Sequence, residues 1–191
     1  MTGVIPRRAI FLHGVGGTGA GLRAMAGKIA GLPETAFPDG PHPFEKGAGR
    51  QWFSIIGVTD ANRPGRIAEA MPGFIRMVEA MGNPRESLLV GFSQGAIMSL
   101  HATAEGLRVA GVVAISGRLA APVRPRDDWP AITMLHGTAD AVIPPEKARN
   151  TEAWLTAAGA SPRLTLFEGL GHTIDRRVRE VIREAILAGG T

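Results

Sequence analysis

Between Ser87 and Ala104 the sequence reads Ser-Leu-Leu-Val-Gly-Phe-Ser-Gln-Gly-Ala-Ile-Met-Ser-Leu-His-Ala-Thr-Ala, and no other stretch constrains the chain as tightly. Leu88, Leu89 and Val90 form a short apolar run of strand type, closed by glycine. Gly91-Phe92-Ser93-Gln94-Gly95 follows as G-x-S-x-G, and Ala96, Ile97, Leu100 and Ala104 continue at helical spacing. Strand, sharp turn and helix in that order place Ser93 on a strained turn with its hydroxyl exposed above a sheet edge. Side chains two residues before or after the serine would clash there, and glycine at 91 and 95 removes them.

The rest of the chain supplies the sheet that such a turn requires. Ala9 to Leu12, Thr35 to Pro38, Val109 to Ile115, Ala131 to Leu135 and Leu164 to Phe167 read as further strands. Helical faces lie between them: Leu22, Met25, Ala26 and Ile29, closed by Gly31; Ile67, Met71, Phe74, Ile75 and Val78, with a kink or restart expected at Pro72-Gly73. A later helix opens at Pro144-Pro145 and ends at Gly159, and Ile174 to Ile186 form a closing amphipathic helix. Alternating elements with continuous apolar strands predict an α/β fold: a mostly parallel sheet covered by helices on both faces. The 191 residues are expected to form one domain, 1–191. Residues 39 to 65 carry no sustained period, and a loop of that length is expected to be functional.

Composition removes several classes of function. The chain has no cysteine, which excludes disulfides, thiolate metal sites and a cysteine nucleophile. Its net charge of +4 comes from scattered arginines rather than a basic arm, so no nucleic-acid partner is expected. Pro6-Arg7-Arg8 has the look of a twin-arginine export signal, but the apolar run after it ends at His13. No run approaches the ~20 apolar residues that cross a bilayer, so the expectation is a soluble, cytoplasmic protein without integral membrane association.

A serine hydroxyl needs a base to take its proton and an acid to orient that base. After a G-x-S-x-G turn the order is serine, acid, histidine. Asp140 stands just past one strand and His172 just past the final one, so parallel strands would bring Ser93, Asp140 and His172 to the same edge of the sheet. Asp127 and Asp128 lie in a polar loop, Asp175 suits the start of the last helix, and His42 and His101 are poorly placed. His13 and His136, each before a glycine at a strand end, are expected to brace their turns. A developing oxyanion needs two donors: the backbone N–H of Gln94, and one from the turn His13-Gly14-Val15-Gly16, that of Val15. Trp52 and Phe53 are candidates for the substrate pocket, with local anchoring of the loop as the alternative. Metal-ligand spacing is absent, and no cofactor is expected.

Leu12-His13-Gly14, Arg50-Gln51-Trp52-Phe53, Gly91-Phe92-Ser93-Gln94-Gly95, Ile115-Ser116-Gly117, His136-Gly137-Thr138-Ala139-Asp140 with Val142 and Pro144, and Gly171-His172 form an ordered set. With that set the sequence resembles the bacterial phospholipase/carboxylesterase group of α/β-hydrolases, which includes the acyl-protein thioesterases. The resemblance implies an α/β-hydrolase fold and a serine hydrolase with nucleophile Ser93, acid Asp140, base His172 and oxyanion donors Val15 and Gln94. It implies a small-molecule acyl ester as substrate, with thioester or lysophospholipid as alternatives at the same site. Only Gly117 to Pro130, with prolines at 122, 125 and 130, separates two strands where a helical cap would be inserted, so no cap domain and an open cleft are expected, favouring short to medium acyl chains. The oligomeric state is not legible.

Two readings of other classes compete. Gly14-Val15-Gly16-Gly17-Thr18-Gly19 also matches G-x-G-x-x-G after a strand, with Asp39 as a ribose-binding acid, which would mean a dinucleotide-binding oxidoreductase. That reading leaves Ser93, Asp140 and His172 in order by coincidence. A hydrolase fold kept as a non-catalytic binding protein is the other, and such proteins usually lose a member of the triad.

Overall fold

A computed structural model describes residues 6–187. The elements in chain order are β1 (Arg8–Leu12), α1 (Gly19–Ala26), β2 (Glu34–Ala36), β3 (His42–Pro43), β4 (Arg50–Gln51), α2 (Arg63–Ala80), β5 (Ser87–Phe92), α3 (Gln94–Ala104), β6 (Gly111–Ile115), β7 (Ala131–Gly137), α4 (Pro145–Ala157), β8 (Arg163–Phe167) and α5 (Arg176–Leu187). Six strands form one sheet in the order β2-β1-β5-β6-β7-β8, and every pairing in it is parallel. β3 and β4 pair separately as a short antiparallel ribbon.

The strand period of two sorts the apolar residues into two cores. Ile10, Leu12, Leu89, Val112 and Met134 face one side, where they meet α2, α3 and α4. Ala9, Phe11, Leu88, Val113 and Leu135 face the other, against Leu22 of α1 and Val178, Ile182 and Ile186 of α5. β5 and β6 are buried on both faces except at Phe92, which is why they read as unbroken apolar runs. The chain leaves β1 toward β2, then returns to the other side of β1 as β5 and continues outward from there. The loops after β1 and β5 therefore diverge, and a crevice opens at the carboxyl ends of these two strands.

Two expectations need correction. The helix expected to kink or restart at Pro72-Gly73 does not restart: it runs from Arg63 to Ala80 with Pro72 inside it. Its apolar face, Ile67, Met71, Phe74 and Val78, is fully engaged with the core, and that burial outweighs the one hydrogen bond a proline removes. The segment 39 to 65 is also more ordered than its composition suggests, since it contains the β3–β4 ribbon and the first turn of α2. By contrast, Gly117 to Pro130 contains neither helix nor strand, and among the described residues no cap domain stands over the sheet edge.

Candidate active site

Ser93 sits between the end of β5 and the first residue of α3 with φ 53° and ψ −115°. A non-glycine residue in that region costs about 1–3 kcal/mol and persists only where its surroundings fix it. Here Ser93 N–H donates to Ile115 O at 2.8 Å and Ser93 O accepts from Ile97 N–H at 3.0 Å. A Cβ on Gly91 would run into the backbone of Ala96, and one on Gly95 into the carbonyl of Leu12. The two glycines thus let the start of α3 lie directly against β5 and β1. Gly14 serves the same packing from the other side, since a Cβ there would stand 2.9 Å from Ser93 Cβ.

His172 and Asp140 arrive from the neighbouring turns. His172 Nε2 is 2.9 Å from Ser93 Oγ, and His172 Nδ1 is 2.7 Å from Asp140 Oδ2. The Phe92 ring lies 5.0 Å from the imidazole, so the residue before the serine also limits how that ring can turn. Asp140 Oδ1 accepts from the backbone N–H groups of Val142 and Ile143, both at 2.9 Å. Burial alone would raise the Asp140 carboxyl, but the His172 hydrogen bond and the two N–H donors outweigh it and leave its pKa below the ordinary value. The turns bearing Asp140 and His172 are also joined to each other. Ala139 N–H donates to Leu170 O at 2.9 Å, and Gly169 N–H donates to Thr138 Oγ1 at 2.9 Å. Gly137 has no room for a Cβ beside Leu170 O, which explains a glycine between His136 and Thr138. His136 braces this turn: its Nε2 donates to Ile143 O at 2.8 Å and lies 3.4 Å from Asp140 Oδ2.

Val15 and Gln94 both line the cleft above Ser93. Gln94 N–H is among the first-turn donors of α3 that a helix leaves without an internal acceptor. In the turn after β1, Gly16 N–H is bonded to Arg50 O and Gly17 N–H to Gly14 O, so the neighbours of Val15 are fixed on the cleft wall. Beneath this turn His13 accepts from Gly40 N–H at Nε2 and meets Gly14 O at Nδ1, so the proton resides on Nδ1. Burial lowers the His13 pKa, as a ring that must keep one lone pair requires.

Of the two aromatics assigned to substrate binding, the structure brings only Phe53 to the cleft wall. Trp52 lies behind it, 3% exposed, with Nε1 donating to His13 O at 2.8 Å and its ring stacked on His13 at 5.2 Å. Gln94 contributes more than its backbone. Its side chain accepts from Trp52 N–H at 2.7 Å and donates to Phe53 O at 2.8 Å, clamping 52–53 to the start of α3. No spacing in the sequence could reveal this contact, because the partners lie on separate elements.

The competing candidates are engaged elsewhere. Asp39 accepts from Gly19 N–H at 2.6 Å, and residues 48–50 cover the glycine turn where a pyrophosphate would have to sit. That arrangement disfavours dinucleotide binding. His42 is exposed, His101 is buried in α3 with Nε2 accepting from Ala120 N–H, and Asp128 pairs with Arg108 and Arg126. Asp175 accepts from Val178 N–H in the first turn of α5. Among the described residues no group of three or more His, Asp or Glu is placed to hold a metal ion. The cleft has a volume of about 370 Å³ and is lined by the Ser93 hydroxyl and the His172 imidazole, with the buried Asp140 carboxylate behind the imidazole, an arrangement suited to acyl transfer.

Comparison with known proteins gives one consistent answer. A family model described as phospholipase/carboxylesterase matches residues 7–188. Esterase YpfH of Escherichia coli (strain K12) is 35% identical over 181 residues, covering 88% of this chain and 76% of that protein. The crystal structure of esterase PE8 superposes with a TM-score of 0.81 at 24% identity, covering 96% of this chain and 92% of the other. Acyl-protein thioesterase 2 of Zea mays shares the fold with a TM-score of 0.77 at 17% identity, over 97% of this chain and 94% of that one.

Proposed function

The chain belongs to the phospholipase/carboxylesterase family, and from that premise we propose that it hydrolyses carboxylic esters through an acyl-enzyme on Ser93. His172 Nε2 takes the Ser93 proton as Oγ attacks the ester carbonyl. Asp140 keeps the proton of the neutral imidazole on Nδ1 and stabilises the imidazolium that forms. The N–H groups of Val15 and Gln94 receive the developing oxyanion. His172 then hands its proton to the departing alcohol, and the same groups run in reverse order with water to release the acid. The observation that carries this reading is the His172 imidazole, 2.9 Å from the serine oxygen on one side and 2.7 Å from the carboxylate on the other. A thioester or lysophospholipid would meet the same groups, and the cleft decides among them.

The cleft favours short to medium acyl chains. Its volume, about 370 Å³, is at the low end for ligand sites, which run roughly 300–1,000 Å³. No cap encloses it, so an acyl tail gains ~0.8 kcal/mol per methylene only while wall remains to bury it. The test is a fluorophosphonate probe followed by peptide mapping, with parallel assays on acyl esters of graded length. The wild-type chain should be labelled at Ser93 and Ser93→Ala should not. Labelling that survives this substitution would place the nucleophile elsewhere.

A further inference from the structure

The wall of the cleft away from the glycine turn is unlike an ordinary acyl pocket. Arg63, Arg118 and Lys147 all line it, and among the described residues that line it there is no carboxylate. Among the described residues the carboxylate paired with them is Asp60, which is solvent-exposed and does not line the cleft. It accepts from Arg118 at 2.7 Å and Lys147 at 2.8 Å, and lies 4.0 Å from Arg63 Nε. Three cations against this one carboxylate leave an excess of positive charge on the wall of the cleft that holds Ser93. Arg118 is only 7% exposed, and Arg63 Nε is buried without a hydrogen-bond partner. Burial and the nearby Arg118 both pull the Arg63 guanidinium below its ordinary pKa, as expected for two cations held side by side.

The surrounding backbone does nothing to offset this. Arg63 is the first residue of α2, which has no acidic residue in its first turn, and Lys147 stands in the first turn of α4 beside the exposed Glu146; both are positions where a helix dipole disfavours positive charge. Neither helix has a side-chain cap at its N-terminus, from Asn62 or from Pro144. Cations gathered at two uncapped helix starts are costly in an empty pocket and favourable around an anion.

We propose that the natural substrate is an ester carrying a second, anionic group, a carboxylate or a phosphate, which the Arg63–Arg118–Lys147 wall holds while Ser93 attacks the ester carbonyl. This rests on the hydrolase reading above and adds the substrate class to it. The anion is a spectator in the reaction: it orients the ester and raises its local concentration. The small cleft limits the reach between the ester and the charge to a few bonds.

Matched pairs of esters test this. One arm places the charge on the acyl part, comparing the p-nitrophenyl monoester of succinate with p-nitrophenyl pentanoate. The other places it on the alcohol, comparing acetylated lactate and acetylated glycerol phosphate with their neutral analogues. The expected result is a kcat/KM at least tenfold higher for the anionic member of one pair, which names both the arm and the anion; a charge-assisted hydrogen bond supports a preference of about that size. The preference should shrink as salt is raised, fall about tenfold in Arg118→Met and Lys147→Met, and reverse in Lys147→Glu. Neutral esters preferred in every pair would overturn the proposal. So would anionic and neutral rates falling in equal proportion in the variants, with a lowered Tm, because that is the signature of a clasp that only ties α2 to α4. If Arg118→Met does not fold, Arg118→Lys keeps the charge without the planar fork, and Lys147→Met still decides. Should the chain hydrolyse none of these esters, calorimetry of succinate and inorganic phosphate against Ser93→Ala gives the answer separately: binding lost in Lys147→Met supports the anion site, and no binding overturns it.

Discussion

Asp140 illustrates how much one oxygen can control. Its Oδ1 is occupied by two backbone N–H groups, so only Oδ2 is free to face His172 Nδ1. In Asp140→Asn the amide nitrogen would take that place and present a donor. The imidazole would then settle with its proton on Nε2, where it cannot accept one from Ser93. Stopped assays should show kcat reduced by up to ~10⁴-fold with little change in Tm. Asp128→Asn, at an exposed ion pair, should melt close to wild type and keep its activity. The meeting of Ser93, Asp140 and His172 was legible because the G-x-S-x-G turn fixes where the serine stands and parallel strands fix where the others must follow. The side chain of Gln94, the capping role of Asp39 and the placement of Trp52 were not. Each is a contact between residues far apart in sequence, and no local period encodes it.

At the level of elements, the strands were legible from apolar runs and the helices from their faces, whereas the ends were not. α2 starts before Ile67 and crosses Pro72 because tertiary burial overrides a local breaker. α3 carries a pH response that the sequence hides. Burial, with Arg118 nearby, pulls the His101 imidazole down from 6.5 to about 4. A folded-state pKa below the unfolded one means that the unfolded chain binds the proton first. The stabilisation from neutral His101 is complete above pH 6.5 and is lost as pH falls toward 4. The slope is up to ~1.4 kcal/mol per pH unit, and His13 acts in the same direction. Thermal melts between about pH 7 and pH 4.5 should show Tm falling in the wild type and falling less steeply in His101→Gln. The segment 50–53 gives a second test. Trp52 is wedged between His13 and Phe74, so Trp52→Ala should cost about 3–5 kcal/mol and lower kcat/KM by the same factor for every acyl length. A loss that varied with acyl length would place the indole against substrate after all.

For the whole molecule, the bare sheet edge over the cleft governs how substrate arrives. Among the described residues, Gly117 to Pro130 carries no helix that could form a cap for a lipid surface to displace. Rate against substrate concentration should stay hyperbolic through the solubility limit; a sharp rise as substrate enters micelles would contradict this. The stitching of the two turns beyond β7 and β8 has another consequence. The turns of Asp140 and His172 hang together from the rim of the sheet, where among the described residues β8 pairs with β7 alone, whereas Ser93 rises from β5 near its middle. Rim strands open at lower free energy than interior ones. Unzipping β8 would carry the imidazole away while the serine stayed in place, leaving a molecule that is folded but silent. In a urea titration, esterase activity should therefore vanish before the far-ultraviolet circular dichroism changes, with amides of β8 exchanging ahead of those of β5. The working life of such an enzyme would be set by its hem rather than by its heart.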